Sequence, residues 1–190
     1  MLVELAIGDA YGLPFEFVND LEFIKSHNNF QYHEHPTRFH EGIKAGHYTD
    51  DTQMTIAVIN HLLLAKEHLG NCTQSSLMRK FIEAHRQDAR QGYGKRLKIA
   101  LSHAIKETPE NEVDCFVKHL GEGASSANGC VMRTIPFGFL PNAEQVARYA
   151  IMNASTTHTS FKAVKATVIT SLVSHYLYHE MGPLDRIHIQ

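Results

Sequence analysis

The stretch GHYTDDTQMTIAVINHLLLA, residues 46–65, sets two adjacent carboxylates, Asp50 and Asp51, between Thr49 and Thr52. They stand at the mouth of a segment that is apolar on almost every side. Neighbouring anions repel, so the pair needs either open water or a cation. Two readings fit these residues about equally well. Thr49 or Asp50 can cap a helix, because hydroxyls and carboxylates satisfy the free N–H groups and the dipole at a helix start. Alternatively, one hydroxyl and two carboxylates offer three oxygen ligands at a single turn, which suits a hard cation such as Mg²⁺ or Mn²⁺.

Three further segments carry polar groups in unusual company. In GDAYGLPFEF, residues 8–17, Gly8 and Gly12 share one helical face, Pro14 ends the helix, and Asp9 lies within an apolar run where a buried carboxylate needs a partner. Glu16 follows as a free acidic group. In GASSANGCVMRTIPFG, residues 123–138, small residues precede a short apolar helix. Ser125, Ser126, Asn128 and Gly129 could turn backbone N–H groups toward a phosphate, although Asn-Gly is also an ordinary turn. In STTHTS, residues 155–160, His158 stands at the entrance of a long helix. A single His at such a place is more often a capping or surface residue than a catalytic one.

The elements that must position these groups are helical. The apolar residues Leu77, Met78, Phe81 and Ile82 predict a helix with Thr73 as N-cap, and Leu97, Ala100, Leu101, Ala104 and Ile105 predict another with lysines outside. Asn142 with Gln145 three residues on forms a capping-box pattern. The segment TSFKAVKATVITSLVSHYLYHEMGP predicts a long helix that packs through Val164, Val168, Leu172 and Tyr176, flanked by Phe161, Ile169, Val173 and Leu177, and stops at Gly182-Pro183. The helix opened by the Asp pair is expected to run to about Leu69. Residues 27–46 read as a long irregular connection, and no segment alternates like a strand. The expectation is one all-α domain over residues 1–190, a compact orthogonal bundle of about seven to nine helices.

Composition excludes several classes. A net charge of −2 gives no electrostatic case for nucleic acid or an anionic membrane. The three cysteines, Cys72, Cys115 and Cys130, are odd in number and widely spaced, which argues against a disulfide framework or a cysteine zinc site. The N-terminus has no basic region before its apolar run, and no uncharged stretch is long enough to span a membrane. A cytoplasmic setting is the expectation. The fourteen histidines are scattered, and the HEHP tract at His33 and His35 reads as a loop. An HD-type phosphohydrolase would need an adjacent His-Asp pair, and the sequence has none.

Taken together and in order, GDAYGLPFE, GHYTDDTQM, NGCVMRTIPFG and THTSFKA resemble the ADP-ribosylglycohydrolase family, from about Leu5 to about Tyr176. The Asp-Asp motif is the most specific of the four. The resemblance implies an all-α bundle around a two-Mg²⁺ site and hydrolysis of ADP-ribose from a modified protein or small molecule. It makes Thr49, Asp50 and Asp51 metal ligands, with Glu16 and Asp51 as the catalytic carboxylates. It assigns Ser125, Asn128 and Gly129 to the diphosphate loop, puts His158 near the nucleotide, and gives Asp9 a supporting role behind the metal loop.

One departure bears on these expectations. Family members carry a late D-x-D-[ST] motif that supplies the rest of the metal cage, and no D-x-D occurs in this sequence. The chain is therefore expected to be the N-terminal portion of such a hydrolase. A catalytically inactive, ADP-ribose-binding relative is the competing reading, with self-association through uncovered helix faces. The acceptor, whether arginine, serine, a base or a small molecule, is not readable.

Overall fold

The computed structural model describes residues 2–67, 72–121 and 125–182. Among these residues there are eight α-helices, several short 3₁₀ turns and no strand, as expected for an all-α chain. The helices are α1 (Leu2–Gly12), α2 (Leu21–His27), α3 (Asp50–Glu67), α4 (Gln74–Gln87), α5 (Lys95–Ala104), α6 (Glu112–Leu120), α7 (Ala143–Ser155) and α8 (Phe161–Tyr178). No described helix is long and apolar enough to cross a membrane.

The helix starts follow their sequence signals. Thr73 and Ser76 form a reciprocal capping box on α4, Asn142 accepts from the Gln145 amide on α7, and Ser160 accepts from the Ala163 amide on α8. The stripe Leu77, Met78, Phe81 and Ile82 of α4 lies at the centre of the core. It packs against Met54, Ala57 and Val58 of α3, Leu97, Ala100, Leu101 and Ala104 of α5, and Phe116 of α6. Full burial of each large apolar side chain contributes about 1.5–3 kcal/mol, so this cluster fixes how α3 through α6 sit.

Three elements differ from the sequence reading. Helix α2 is a seven-residue helix capped by Asp20, whose carboxylate accepts from the amides of Glu22 and Phe23. It is too short for a periodic signal, and none of its residues is buried. The apolar run after Asn128 is split into two 3₁₀ segments, Asn128–Cys130 and Ile135–Phe139, with Pro136 inside the second.

Helix α8 corrects a stronger expectation. Its buried residues are Ala163, Thr167, Ser171, Ser174 and His175, while Phe161 and Leu177 are exposed. The physical reason is a close approach. A Cβ on Gly138 would lie 2.7 Å from the backbone carbon of Ser174. Only small side chains fit there, and their hydroxyls find acceptors: Ser174 donates to the Ile135 carbonyl at 2.9 Å and Ser171 to the Thr167 carbonyl at 2.9 Å. The helix ends at Tyr178, with Glu180 at φ 49° in the turn beyond it. The helix thus ends before the expected stop at Gly182-Pro183, of which Pro183 lies outside the described residues, as does the expected end of α3 at Leu69.

Apolar side chains do remain uncovered. Val3 and Ile7 of α1 and Ile56, Leu63 and Leu64 of α3 are all exposed.

Candidate active site

The site begins at the start of α3. Two residues cap that helix, and neither is Asp50 or Asp51. Thr49 Oγ1 accepts from the Asp51 amide at 3.3 Å. Asp9, reaching across from α1, accepts from the amides of Thr49 at 2.9 Å and Thr52 at 3.1 Å. It also accepts from the hydroxyls of Thr49 at 2.7 Å and Thr52 at 2.6 Å. This one carboxylate therefore satisfies two backbone donors and both threonines of the TDDT turn, which explains Asp9 in an apolar helix. Asp9 and Thr49 thus serve the amides of Thr49, Asp51 and Thr52, the Asp50 carboxylate adds a bond from its own amide, and both central carboxylates face the cavity beyond.

The turn is held from the other side as well. Arg90 stacks its guanidinium 4.1 Å from the Tyr48 ring centre and donates to the Tyr48 carbonyl at 3.1 Å. Gln53 of α3 accepts from the Tyr93 hydroxyl and donates to carbonyls at the end of α4. These bonds draw residues 88–93 over the acid pair. Gly92, at φ +108°, then sits so close that a Cβ there would lie 1.8 Å from Asp50 Oδ1. Only glycine satisfies both the backbone angle and that approach.

Asp50 is buried, at 6% exposure. Burial, then the Asp51 charge, with Glu16 and Asp9 adding less, pushes its carboxyl up to about 8. Burial, then Asp9 and Glu16, pushes Asp51 up to about 7. Desolvation and like charge both oppose ionisation here, and the opposing pull of His40 on Asp51 is the smaller effect. Glu16 stands opposite, just past the 3₁₀ turn Leu13–Phe15. Its Oε2 lies 2.6 Å from Nε2 of His40, a buried histidine on the long connection before α3. His35 Nε2 is 2.8 Å from the Glu16 carbonyl, so two histidines of that connection hold the Glu16 segment.

The cavity measures about 440 Å³, within the range of small-molecule sites. It brings together Glu16, Asp50, Asp51, Ser125, Asn128, Gly129 and His158 from four separate segments. Thr49 is buried behind this wall and lines an adjoining cleft with Asp9, Glu16 and Asp51. Lys95 and Arg96 at the start of α5 supply positive charge on another wall. The acids thus lie at one part of the cavity's lining, and the small-residue loop and His158 form another.

Behind that second part stands Arg133, completely buried. Its guanidinium lies 4.5 Å from the Phe81 ring centre and donates to Asn153, Thr156 and Thr157. Sequence reasoning missed His40, Gly92, Arg133 and Thr157. The Gly-Tyr-Gly of residues 92–94 was a visible turn signal for one of them, Arg133 and Thr157 lie inside segments already singled out, and nothing local marks His40.

An all-α frame brings an acid pair, a third carboxylate and a glycine-containing loop to one cavity, which defines a helical protein with an acid-lined cavity. A family model of the ADP-ribosylglycohydrolases matches residues 1–188, and the chain belongs to that family. Members act on ADP-ribosylated substrates, and the family assignment makes the chain an ADP-ribosyl hydrolase by class.

Proposed function

We propose that this chain removes ADP-ribose from a modified acceptor in an Mg²⁺-dependent reaction, by cleaving the N- or O-glycosidic bond at the distal ribose. The observation that carries this reading is the convergence of Glu16, Asp50 and Asp51 with the Ser125–Gly129 loop and His158 on one cavity.

The donor set fits a hard divalent cation, with Mn²⁺ as an alternative ion. Asp50 and Asp51 are carboxylates pushed toward neutrality by burial and by neighbouring acids, conditions that a bound cation would relieve. Thr49 sends its hydroxyl proton to Asp9 and accepts from the Asp51 amide, which leaves one oxygen lone pair for an ion. Thr49, Asp50 and Asp51 would hold Mg²⁺, and two ions are proposed by analogy with the family. When bound, such ions supply charge that orients ribose hydroxyls and lowers the pKa of a water.

Cleavage breaks the bond from C1″ to the acceptor atom, whose electron pair leaves with the acceptor. A water oxygen takes its place on C1″, and positive charge develops on the ribose in between. Glu16 accepts the proton that the water loses and passes it to the departing acceptor. His40 holds the Glu16 carboxylate in one orientation for that transfer. Asp51 shares the acid wall and adds negative charge where the ribose becomes cationic. The Ser125, Asn128 and Gly129 loop with His158 holds the diphosphate and contributes position.

The test uses the full chain with peptides ADP-ribosylated on arginine or serine, and follows released ADP-ribose by mass spectrometry. Release that requires MgCl₂ and stops with EDTA is expected. Glu16→Gln should lower kcat about 100-fold or more while ADP-ribose affinity changes little. ADP-ribose binding with no release from either peptide at any Mg²⁺ or Mn²⁺ concentration would overturn hydrolysis in favour of a binding role.

A further inference from the structure

The hydrogen bonds around Arg133 determine where the proton sits on His158. Arg133 donates from Nη2 to Thr157 Oγ1 at 2.7 Å and to Thr156 Oγ1 at 3.1 Å. A guanidinium has donors only, so each hydroxyl oxygen accepts there and keeps its own proton for another partner. Thr156 sends its proton to the Asn153 carbonyl at 2.6 Å. For Thr157 the other partner among the described residues is His158 Nδ1, at 2.7 Å. Were Nδ1 protonated, the buried Thr157 hydroxyl would have no acceptor among the described residues, an unmade bond that is costly inside a protein. Nδ1 therefore accepts, and the imidazole proton lies on Nε2.

The ring lies close over Gly129, where a Cβ would stand 3.3 Å from its Cε1 and 3.6 Å from its Nε2. Nε2 has no hydrogen-bond partner among the described residues, and the ring lines the cavity. We propose that Arg133 and Thr157 act as positioning residues that lock His158 in its Nε2–H tautomer. The cavity thereby presents one fixed, uncharged donor, which takes an acceptor oxygen of the ligand and rejects a donor at that point.

Charge around the ring supports a neutral state. Burial first, then Arg133 behind it and Arg96, holds the imidazole down to about 4. Lys95 lines the same cavity, with Glu16, Asp50 and Asp51 as its acids. The ligand that fits is a nucleoside diphosphate ester, whose oxygens near the small-residue loop only accept. That choice of ligand rests on the proposed function above, while the tautomer rests on the hydrogen bonds alone.

The decisive measurement needs no activity. Long-range ¹H–¹⁵N correlation spectra of the ¹⁵N-labelled full chain report the tautomer of each histidine, and His158→Gln assigns the signal. An Nε2–H pattern for His158 that persists from pH 8 to 5.5 is expected. An Nδ1–H pattern, or a protonated ring at pH 6.5, would overturn the lock. Thr157→Val, checked for folding by circular dichroism, should mix the tautomers and weaken ADP-ribose binding about tenfold by titration calorimetry in MgCl₂. Thr157→Ser should restore both, and failure of the valine variant to mix the tautomers would count against the lock. A locked ring in a chain that does not bind ADP-ribose would overturn the choice of ligand and leave the lock standing.

Discussion

Without a bound cation, Asp50 should make this protein less stable as pH rises, the reverse of an ordinary paired carboxylate. In the unfolded chain its carboxyl ionises near 3.8, and in the fold burial and Asp51 push it up to about 8. The folded state therefore binds a proton that the unfolded state has lost. Its contribution is whole below about pH 4 and vanishes as pH rises through about 8. Three histidines work the other way. Burial holds His61, His85 and His158 below 6.5, so they favour the fold as pH rises through 6.5, an effect largely complete by about pH 7.5. From about pH 7 to 8 the acid pair outweighs the histidines, with Asp51 contributing up to about 7. There Asp50 alone imposes a slope that starts near about 1.4 kcal/mol per pH unit and halves by pH 8, or about 1 kcal/mol across the window. For a chain of this size that corresponds to a fall in Tm of about 2–4 °C. Thermal melts in EDTA at pH 7, 7.5 and 8 should show this fall in the wild type. Asp50→Asn, which mimics the protonated carboxyl, should lose most of it. MgCl₂ should raise Tm at pH 8 in the wild type and much less in the variant, because the ion binds the ionised carboxylates. A wild-type Tm that stays flat or rises in EDTA, or an unchanged slope in Asp50→Asn, would refute the reasoning.

Two other perturbations test how the site is built. Asp9→Asn leaves a single side-chain oxygen to serve four donors and turns an NH₂ group toward the Thr49–Thr52 turn. Urea unfolding should show a loss of about 2–4 kcal/mol, together with weaker Mg²⁺ binding by calorimetry. Gly92→Ala puts a methyl group at 1.8 Å from Asp50 Oδ1 on a backbone at φ +108°. It should cost about 1–3 kcal/mol of stability and shift the Asp50 carboxylate enough to abolish most Mg²⁺-dependent release of ADP-ribose. Retention of full Mg²⁺ response in either variant would contradict the placement of Asp9 or Gly92 against the acid turn.

Much of the helical frame could be read from local pattern, because amphipathic periodicity and capping residues are short-range signals. The α4 stripe, its Thr73 cap and the α7 cap at Asn142 fall where the sequence puts them. Helix α8 did not follow that logic. Its large apolar side chains predicted the buried face, yet the chain buries Thr167, Ser171 and Ser174, the last where Gly138 comes too close for anything larger. Periodicity reports which residues could be inside, and the distance to the neighbouring backbone decides which are. The four functional segments were legible as motifs, and the fold gathers Glu16, Asp50, Asp51, Ser125, Asn128, Gly129 and His158 onto one cavity. The TDDT turn itself stayed ambiguous between a cap and an ion site while only its own residues were considered.

The sequence by itself determined an all-α chain, a doubled carboxylate at a helix start, and a small-residue loop and a histidine placed to meet it. Side-chain type and local spacing suffice for those features. Tertiary structure decided which groups are charged, held and free. Asp9 crosses 40 positions of chain to reach Thr49 and takes over the capping that Asp50 and Asp51 could have done. His40 orients Glu16 from 24 residues away, and Arg133 reaches Thr157 across 24 to set the proton on His158. Hydrogen bonds and burial between distant segments carry no local signature, and here they turn a set of polar residues into a site with defined protonation.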